Sequence, residues 1–227
     1  MPRSLRRFIA FLSALVAMVT LTALAYAQGS TGTPPDMQRV GAFEIDRTEV
    51  TVGQVRRYAQ ATGFVSQAER AGGGSTFEGG WVQRKGWTWQ APYGRPGGPQ
   101  EPAVHLTFDE AQAYCRWAGK RLPTDAEWME AAYTERRASP PAGFVTGRTY
   151  PYPTGDSPQG ANCAEGCGDP RTVLADPRQV TSRGRGHAEA GSTRAGVNGL
   201  HEMAANAWEW TDDGAASSER PTRGGSW

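Results

Sequence analysis

The amino-acid sequence predicts an α+β fold that is rich in loops and has little regular secondary structure. Its 227 residues include 29 glycines and 16 prolines, which interrupt helices and strands along the whole chain. Three short segments nevertheless carry the signature of a helix start. Eight tryptophans are also present, and we expect them to form a core of large aromatic side chains set between loops.

The charge balance excludes two classes of partner. The chain has 24 Lys and Arg against 23 Asp and Glu, which gives a formal net charge of +1. Nucleic-acid binding and attraction to acidic membranes both require a marked excess of positive charge. We therefore expect no nucleic-acid partner, and membrane contact only through an uncleaved N-terminal signal.

Residues 1–27 have the features of a signal peptide. Three arginines among the first seven residues precede an apolar run, and Ala25-Tyr26-Ala27 forms an A-x-A cleavage site. The alternative is a membrane anchor, because the apolar run approaches the length that spans a bilayer. Both predict an extracytoplasmic protein, periplasmic or secreted. Residues 28–39 are predicted to be a polar linker, and residues 40–227 the folded domain.

The first predicted elements are a strand and a helix. Phe43 and Ile45 alternate with polar residues as in a strand, and Thr51 with Gln54 forms a capping box for a helix that stops at Gly63. Residues 65–102 are predicted to be mostly loop, with a flexible glycine run at 72–74. The run does not match a phosphate-binding loop, because it lacks the lysine and the hydroxyl residue that follow the glycines in that motif.

Two further helices are predicted between residues 103 and 133. Thr107 with Glu110 and Thr124 with Glu127 both fit the capping box, and Pro123 fixes the corner between the two helices. Their spacing places apolar side chains on one face of each helix, namely Phe108, Tyr114 and Cys115 on the first and Trp128, Ala131 and Ala132 on the second.

The run YCRWAGKRLPTDAEW at residues 114–128 resembles the signature of the formylglycine-generating enzyme family, also named the sulfatase-modifying factor family. Further matches are EVT at 49–51, NGLHEMAANAWEWTDD at 198–213 and RPTRGGSW at 220–227. The resemblance implies a fold related to C-type lectins. It also implies an enzyme that uses O₂ and copper to oxidise a cysteine of a protein or peptide substrate to formylglycine.

The resemblance further implies two structural calcium ions. The first would be held by the Asn162 side chain and the Cys163 carbonyl. The second would be held by one carboxylate and three backbone carbonyls, from Glu209 and from Ala204, Ala205 and Ala207. Ala205 stands where the family usually has glycine, so it would be strained if the backbone there needs a positive φ.

Alternatives to calcium remain open from the residues alone. Asn162 lies in a segment dense in glycine and Asx residues, where turn capping is the simpler role. Glu209 lies between two tryptophans, and a carboxylate buried there needs either a metal or an arginine as its partner. The sequence does not distinguish these partners.

The catalytic cysteine pair that the resemblance implies is missing from the sequence. In the family, two copper-binding cysteines follow the G-G-S-[WY] motif, which here ends at Trp227. The chain is therefore predicted to be a fragment truncated at its C-terminus and inactive as given, with copper expected only if a complete C-terminus exists. Ser226 and Trp210 match positions of the family's active-site cleft, although a strand residue and a core residue are the simpler interpretations.

The other cysteines and the histidines suggest no replacement. Cys163 and Cys167 could form a disulfide in an oxidising compartment, whereas Cys115 lies on the buried face of a helix. The three histidines lack metal-ligand spacing, and His105 is predicted to be structural. A second function is therefore considered, namely a non-catalytic, lectin-like module that binds an unknown extracytoplasmic ligand or protein.

Overall fold

The computed structural model describes residues 37–77, 80–163, 167, 186–214 and 220–225. All of them belong to one compact unit, Asp36–Trp227. The predicted signal peptide, most of the predicted linker and Ser226 lie outside the described residues. No helix in the described part of the chain is long and apolar enough to cross a membrane.

The predicted α+β class is confirmed. The described residues form short helices and three two-stranded antiparallel sheets, joined by long loops. The strands are β1 (Met37–Val40), β2 (Phe43–Asp46), β3 (Gly73–Phe77), β4 (Trp81–Lys85), β5 (Trp208–Trp210) and β6 (Thr222–Gly224). The α-helices are α1 (Val52–Thr62), α2 (Gln67–Arg70), α3 (Phe108–Trp117) and α4 (Asp125–Tyr133), and a 3₁₀ turn covers Val197–Gly199.

The folded region starts earlier than the sequence suggested. Strand β1 begins at Met37, inside the segment predicted as linker, and Met37 pairs with Asp46 of β2. Backbone pairing with β2 organises these residues even though their side chains are mostly polar. Val40, the last residue of β1, is fully buried and anchors the hairpin in the core.

The three predicted helix starts are present as capping boxes. At α1, the Thr51 hydroxyl accepts the Gln54 N–H at 3.3 Å and the Gln54 side chain accepts the Thr51 N–H at 2.6 Å. The helix ends at Gly63, whose φ of 70° is the left-handed conformation that glycine adopts without strain. The same arrangement starts α3 at Thr107 and α4 at Thr124.

Glu127 combines two stabilising roles at the start of α4. Its Oε2 accepts the Thr124 N–H at 2.9 Å, and the Arg121 guanidinium donates to both of its oxygens at 2.6 Å. Arg121 holds the pKa of Glu127 down to about 2, and the Thr124 N–H contributes in the same direction. The ionised carboxylate is therefore favoured by the folded state.

We expect Glu127→Gln to lower the free energy of unfolding at pH 7 by about 1–2 kcal/mol, because it loses the paired charge at the helix start. Since the folded pKa is depressed, this stabilisation is present above the unfolded value of about 4.3 and is lost as pH falls toward 2. Urea unfolding at several pH values measures both effects. The exposed Glu44→Gln is the matched control, and equal acid sensitivity of the two variants would contradict the role of Glu127.

The glycine run at 72–74 is not the flexible loop that the sequence suggested. Gly73 and Gly74 begin β3, which pairs with β4 in a hairpin. A β-carbon on Gly73 would lie 2.1 Å from the Arg84 carbonyl oxygen, so glycine is needed there for close backbone approach. The helix α2 just before it was also missed, although Ser66 and Glu69 form a capping box there.

Two apolar clusters form most of the core. One joins β1 to α4 and to the segment around Leu200 and Met203, and the other joins α1 to α3 around Trp89. The tryptophans divide between core and surface, which corrects the expectation that they build the core together. Trp89 and Trp128 are fully buried, whereas Trp81, Trp117 and Trp208 are exposed.

Candidate functional site

A cleft of about 1220 Å³ lies between β2, the β3–β4 hairpin, the corner at residues 120–123 and β5. At one end, the corner residues Lys120 and Arg121 are paired with Asp46 and Glu127. The cleft is rich in aromatic rings, contributed by Phe43, Phe77, Trp81, Trp87, Tyr93, Tyr114, Trp208 and Trp210. The cleft thus combines paired charges with a lining rich in aromatic side chains.

Three exposed rings in this cleft, Phe77, Trp81 and Trp208, form what we name the aromatic cluster. Their centroids are separated by 5.7 Å, 6.3 Å and 5.8 Å, and two of the contacts are edge-to-face. Trp81 is 68% exposed and Trp208 45%, which is unusual for tryptophan in a monomeric domain. The cluster joins the tip of the β3–β4 hairpin to β5.

Trp210, a predicted cleft residue, lines the cleft and is anchored at its polar end. Its Nε1–H donates to the Leu106 carbonyl at 3.1 Å, and its ring packs edge-on against Phe108. The Arg220 guanidinium lies over the Phe108 ring, 4.5 Å from its centroid. Ser226, the second predicted cleft residue, falls outside the described residues.

The segment before β5 bends at two residues with positive φ, Glu202 at 58° and Asn206 at 91°. The sequence analysis expected strain at Ala205 only if the backbone there had a positive φ, and Ala205 does not have one. The bend falls on Asn206, a residue type that tolerates this conformation better than most. Ala205 itself is buried and donates its N–H to the Glu202 carbonyl at 3.1 Å.

Asn206 connects three distant segments of the chain. Its Nδ2 donates to Glu49 Oε2 at 2.6 Å, while Glu49 Oε1 accepts the Ala207 N–H at 2.9 Å. Its Oδ1 accepts from Asn162 Nδ2 at 2.8 Å and from the Ala188 N–H at 2.6 Å. The sequence analysis matched Glu49 and Asn206 to motifs but gave neither a role, because their partners are far away along the chain.

Asn162 has an arrangement that fits the first predicted calcium ion. Its Nδ2 is used by Asn206 and by the Gly186 carbonyl at 3.1 Å, so its Oδ1 points the other way. That oxygen is buried and has no hydrogen-bond partner. An unpaired buried acceptor is costly, and a bound cation would satisfy it. The bonds of Asn162 run to distant residues rather than to a local turn.

Glu209, proposed for the second ion, is bound by Trp128 rather than by an arginine. Trp128 Nε1–H donates to Glu209 Oε2 at 2.6 Å. Although the residue is partly exposed, its carboxyl group is buried, and burial raises its pKa to about 7, with the charge of Glu202 adding to the effect. Burial also raises the pKa of Glu49, with Glu202 and Glu209 contributing. A divalent cation would offset this concentration of negative charge.

Two of the predicted carbonyl ligands, those of Ala204 and Ala207, face Gly225 and Gly224. These glycines follow Arg223, the strand partner of Glu209. A β-carbon placed on Gly225 would lie 3.4 Å from the Ala204 oxygen, and one on Gly224 would lie 3.4 Å from the Ala207 oxygen. Within the described ranges, no group of three or more His, Cys, Asp or Glu has the geometry of a metal site. A calcium ion here would thus depend on Glu209 together with backbone oxygens, which suit this hard cation.

The three cysteines of the chain do not form a copper site. The Cα atoms of Cys163 and Cys167 are 5.9 Å apart, within the range of the predicted disulfide, and the structure pairs these two residues. Cys115 is buried, and burial raises the pKa of its thiol to about 11, so it is not a thiolate at neutral pH. Cu(I) prefers thiolate ligands, and these residues do not supply a pair of them.

The fold and the cleft thus define a loop-rich α+β domain with a cleft lined by aromatic side chains. Residues 13–227 match the model of the sulfatase-modifying factor enzyme 1-like domain. The chain belongs to this family, as its motifs suggested.

The family contains proteins with different activities. The chain is 32% identical to the formylglycine-generating enzyme of Streptomyces coelicolor over 205 residues, which cover 80% of this chain and 60% of that protein. It is 31% identical to a hercynine oxygenase of Mycolicibacterium thermoresistibile, over 86% of this chain and 46% of that protein. An inactive Cα-formylglycine-generating enzyme 2 of Bos taurus is 32% identical over 61% of this chain and 44% of its own length. The chain therefore spans about half the length of these relatives.

Proposed function

We propose that the protein is an extracytoplasmic member of the formylglycine-generating type, and that its cleft binds a protein or peptide segment around the cysteine to be oxidised. The observation that carries this proposal is the aromatic cluster, because it exposes three large rings along an open cleft. Rigid aromatic side chains provide binding area at a low entropic cost. The similarity to named formylglycine-generating enzymes supports the choice of substrate class.

Calcium has a structural role in this proposal. Bound at Glu209 and at Asn162, it would supply positive charge that neutralises buried oxygen ligands. Glu209 lies between Trp208 and Trp210, the two rings that β5 contributes to the cleft. The same segment that would hold the ion therefore orients two side chains of the binding surface.

A non-catalytic binding protein is the second candidate. The state of the cysteines favours it, since Cys115 is a buried thiol and the other two are paired. The similarity to a protein named as inactive supports this candidate. Both candidates bind a ligand in the same cleft, and they differ only in whether a cysteine is then oxidised.

Peptide binding tests the feature that the two candidates share. We expect a synthetic peptide that spans the modified cysteine of a bacterial sulfatase, with serine in place of the cysteine, to bind the purified chain. Trp81→Ala should weaken the affinity at least tenfold, because it removes the most exposed ring of the cluster. Trp117→Ala is the matched control, since Trp117 is exposed but lies outside the cleft. Equal losses in both variants would contradict the assignment of the cleft.

Under both candidates, the chain as given is expected to leave a substrate cysteine unoxidised. We expect the 227-residue chain, supplied with Cu(I), O₂ and a reductant, to leave the cysteine form of the peptide unchanged in mass. The reason is that its three cysteines do not provide two thiolates for copper. Conversion of the peptide by the purified chain, absent from a sample with Cys115→Ala, would instead establish the oxidase and identify a thiol that takes part.

A further inference from the structure

His105 has a strained backbone at the floor of the cleft. Its φ is 59°, in the left-handed region that residues other than glycine rarely occupy. Such a conformation costs about 1–3 kcal/mol and persists only where the surrounding structure enforces it. The residue lies three positions before Phe108, where α3 begins, and its side chain is among those that line the cleft.

The His105 ring is held from two sides. Its Nε2 lies 2.9 Å from the Pro92 carbonyl oxygen, and because a carbonyl only accepts, Nε2 carries the proton in this bond. The ring also packs against Trp87, with centroids 5.7 Å apart. Burial lowers the pKa of His105, while hydrogen bonds with the backbones of Pro92 and Ser75 act in the opposite direction.

The opposite edge of the ring occupies the space where a side chain at position 74 would lie. A β-carbon on Gly74 would be 2.6 Å from Nδ1 and 2.7 Å from Cγ of His105. The φ of Gly74 is not in the left-handed region, and the three atoms nearest to such a β-carbon all belong to the His105 side chain. Gly74 is thus required by contact with His105 rather than by turn geometry.

This contact is at the root of the β3–β4 hairpin. Gly74 is the second residue of β3, and its N–H donates to the Trp87 carbonyl at 2.7 Å. The far end of the same hairpin carries Phe77 and Trp81, which meet Trp208 of β5. A shift at Gly74 would therefore move two of the three rings in the aromatic cluster.

We propose that His105 is a positioning residue, which fixes the root of the β3–β4 hairpin so that the aromatic cluster forms one wall of the ligand cleft. The ligand in this inference, a peptide segment, rests on the proposed function. The placement of the hairpin by His105 does not depend on the ligand and is tested separately.

A double-mutant cycle tests the contact, with amide hydrogen exchange of residues 73–77 and 81–85 as the readout. Gly74→Ala and His105→Gly are each expected to speed exchange in the hairpin at least tenfold, with exchange in α1 unchanged. In the His105→Gly background, Gly74→Ala should add less than a twofold effect, because the space for the β-carbon is then open. His105→Asn should recover part of the protection, since asparagine tolerates this backbone and keeps an N–H donor.

His201→Gly is the control for the exchange experiment, because the His201 ring also bonds a carbonyl, that of Thr193 at 2.9 Å, and none of its hydrogen bonds in the described structure reaches the hairpin. Peptide affinity is measured in the same variants with the serine peptide. Unchanged hairpin exchange in His105→Gly would overturn the inference, whether or not peptide binds. Faster exchange with an unchanged peptide Kd would overturn the ligand-positioning role. Failure of the wild type to bind peptide would instead refute the proposed function, while the exchange data still decide whether His105 places the hairpin.

Discussion

Asn198→Ala is expected to lower the free energy of unfolding by about 3–5 kcal/mol, because several buried groups lose their partners at once. The Asn198 side chain is fully buried, and its Nδ2 donates to the Ala131 and Thr134 carbonyls at 2.8 and 2.9 Å. Its Oδ1 accepts the Arg136 N–H at 2.7 Å. These bonds satisfy the C-terminal end of α4, which would otherwise expose unpaired carbonyls to an apolar environment.

Two further variants separate the causes of this loss. The φ of Asn198 is 56°, so alanine is also strained there, whereas Asn198→Gly removes the strain and keeps only the loss of hydrogen bonds. We therefore expect the glycine variant to be about 1 kcal/mol more stable than the alanine variant. Gln38→Ala, which removes an exposed amide, should change stability by less than about 0.5 kcal/mol. Urea unfolding measures all three, and a loss below about 1 kcal/mol in Asn198→Ala would contradict the capping role.

Each calcium ion is expected to raise the melting temperature by about 5–10 °C when the calcium concentration is 100 times the dissociation constant of its site. A ligand at that concentration stabilises the native state by about 2.7 kcal/mol if it does not bind the unfolded chain. For a domain of this size, each kcal/mol corresponds to about 2–4 °C. The measurement compares melting in CaCl₂ with melting in EDTA, and isothermal titration gives the number of ions bound.

Variants of the two candidate sites assign the ions. Asn162→Leu removes the buried oxygen that lacks a partner, and Glu209→Gln removes one charge while retaining an acceptor for Trp128. Each should eliminate one ion in the titration and part of the thermal shift. Glu44→Gln, an exposed carboxylate in the same cleft, should retain both ions. An unchanged melting temperature in EDTA, together with no heat of binding, would refute the calcium proposal.

The elements that sequence analysis predicted correctly are those specified by neighbouring residues. Thr51 with Gln54 and Thr107 with Glu110 lie three positions apart, so the reciprocal bonds that start α1 and α3 can be recognised without the fold. The short helix α2 had the same signal in Ser66 and Glu69 and was overlooked because it lasts only one turn. In these cases the information is local in the sequence.

The features that were missed depend on residues far apart in the chain. Glycines at 73 and 74 look like a flexible loop in the sequence, and only the approach of Arg84 and of His105 shows that they belong to a hairpin. The exposure of Trp81 likewise could not be distinguished from burial, because composition does not tell which aromatic residues face a cleft.

The candidate cation sites were partly predictable. The family motif indicated Asn162 and Glu209, but the bend falls on Asn206 rather than on Ala205. The Asn206 side chain is placed by Glu49, which lies 157 positions away in the chain. No local pattern reports a bond of that length in sequence, so the link between the start of α1 and the segment before β5 had to come from the structure.

The bond between Trp128 and Glu209 gives the protein a built-in reporter. Trp128 lies in α4 and is buried in the core, while its indole N–H donates to the Glu209 carboxylate of the candidate ion site. Binding at Glu209 and the stability of that core are consequently linked, and linkage is reciprocal. A substitution that loosens the core around α4 should weaken binding of the ion, and the tryptophan emission of the wild type should change with occupancy of the site more than that of Trp128→Phe.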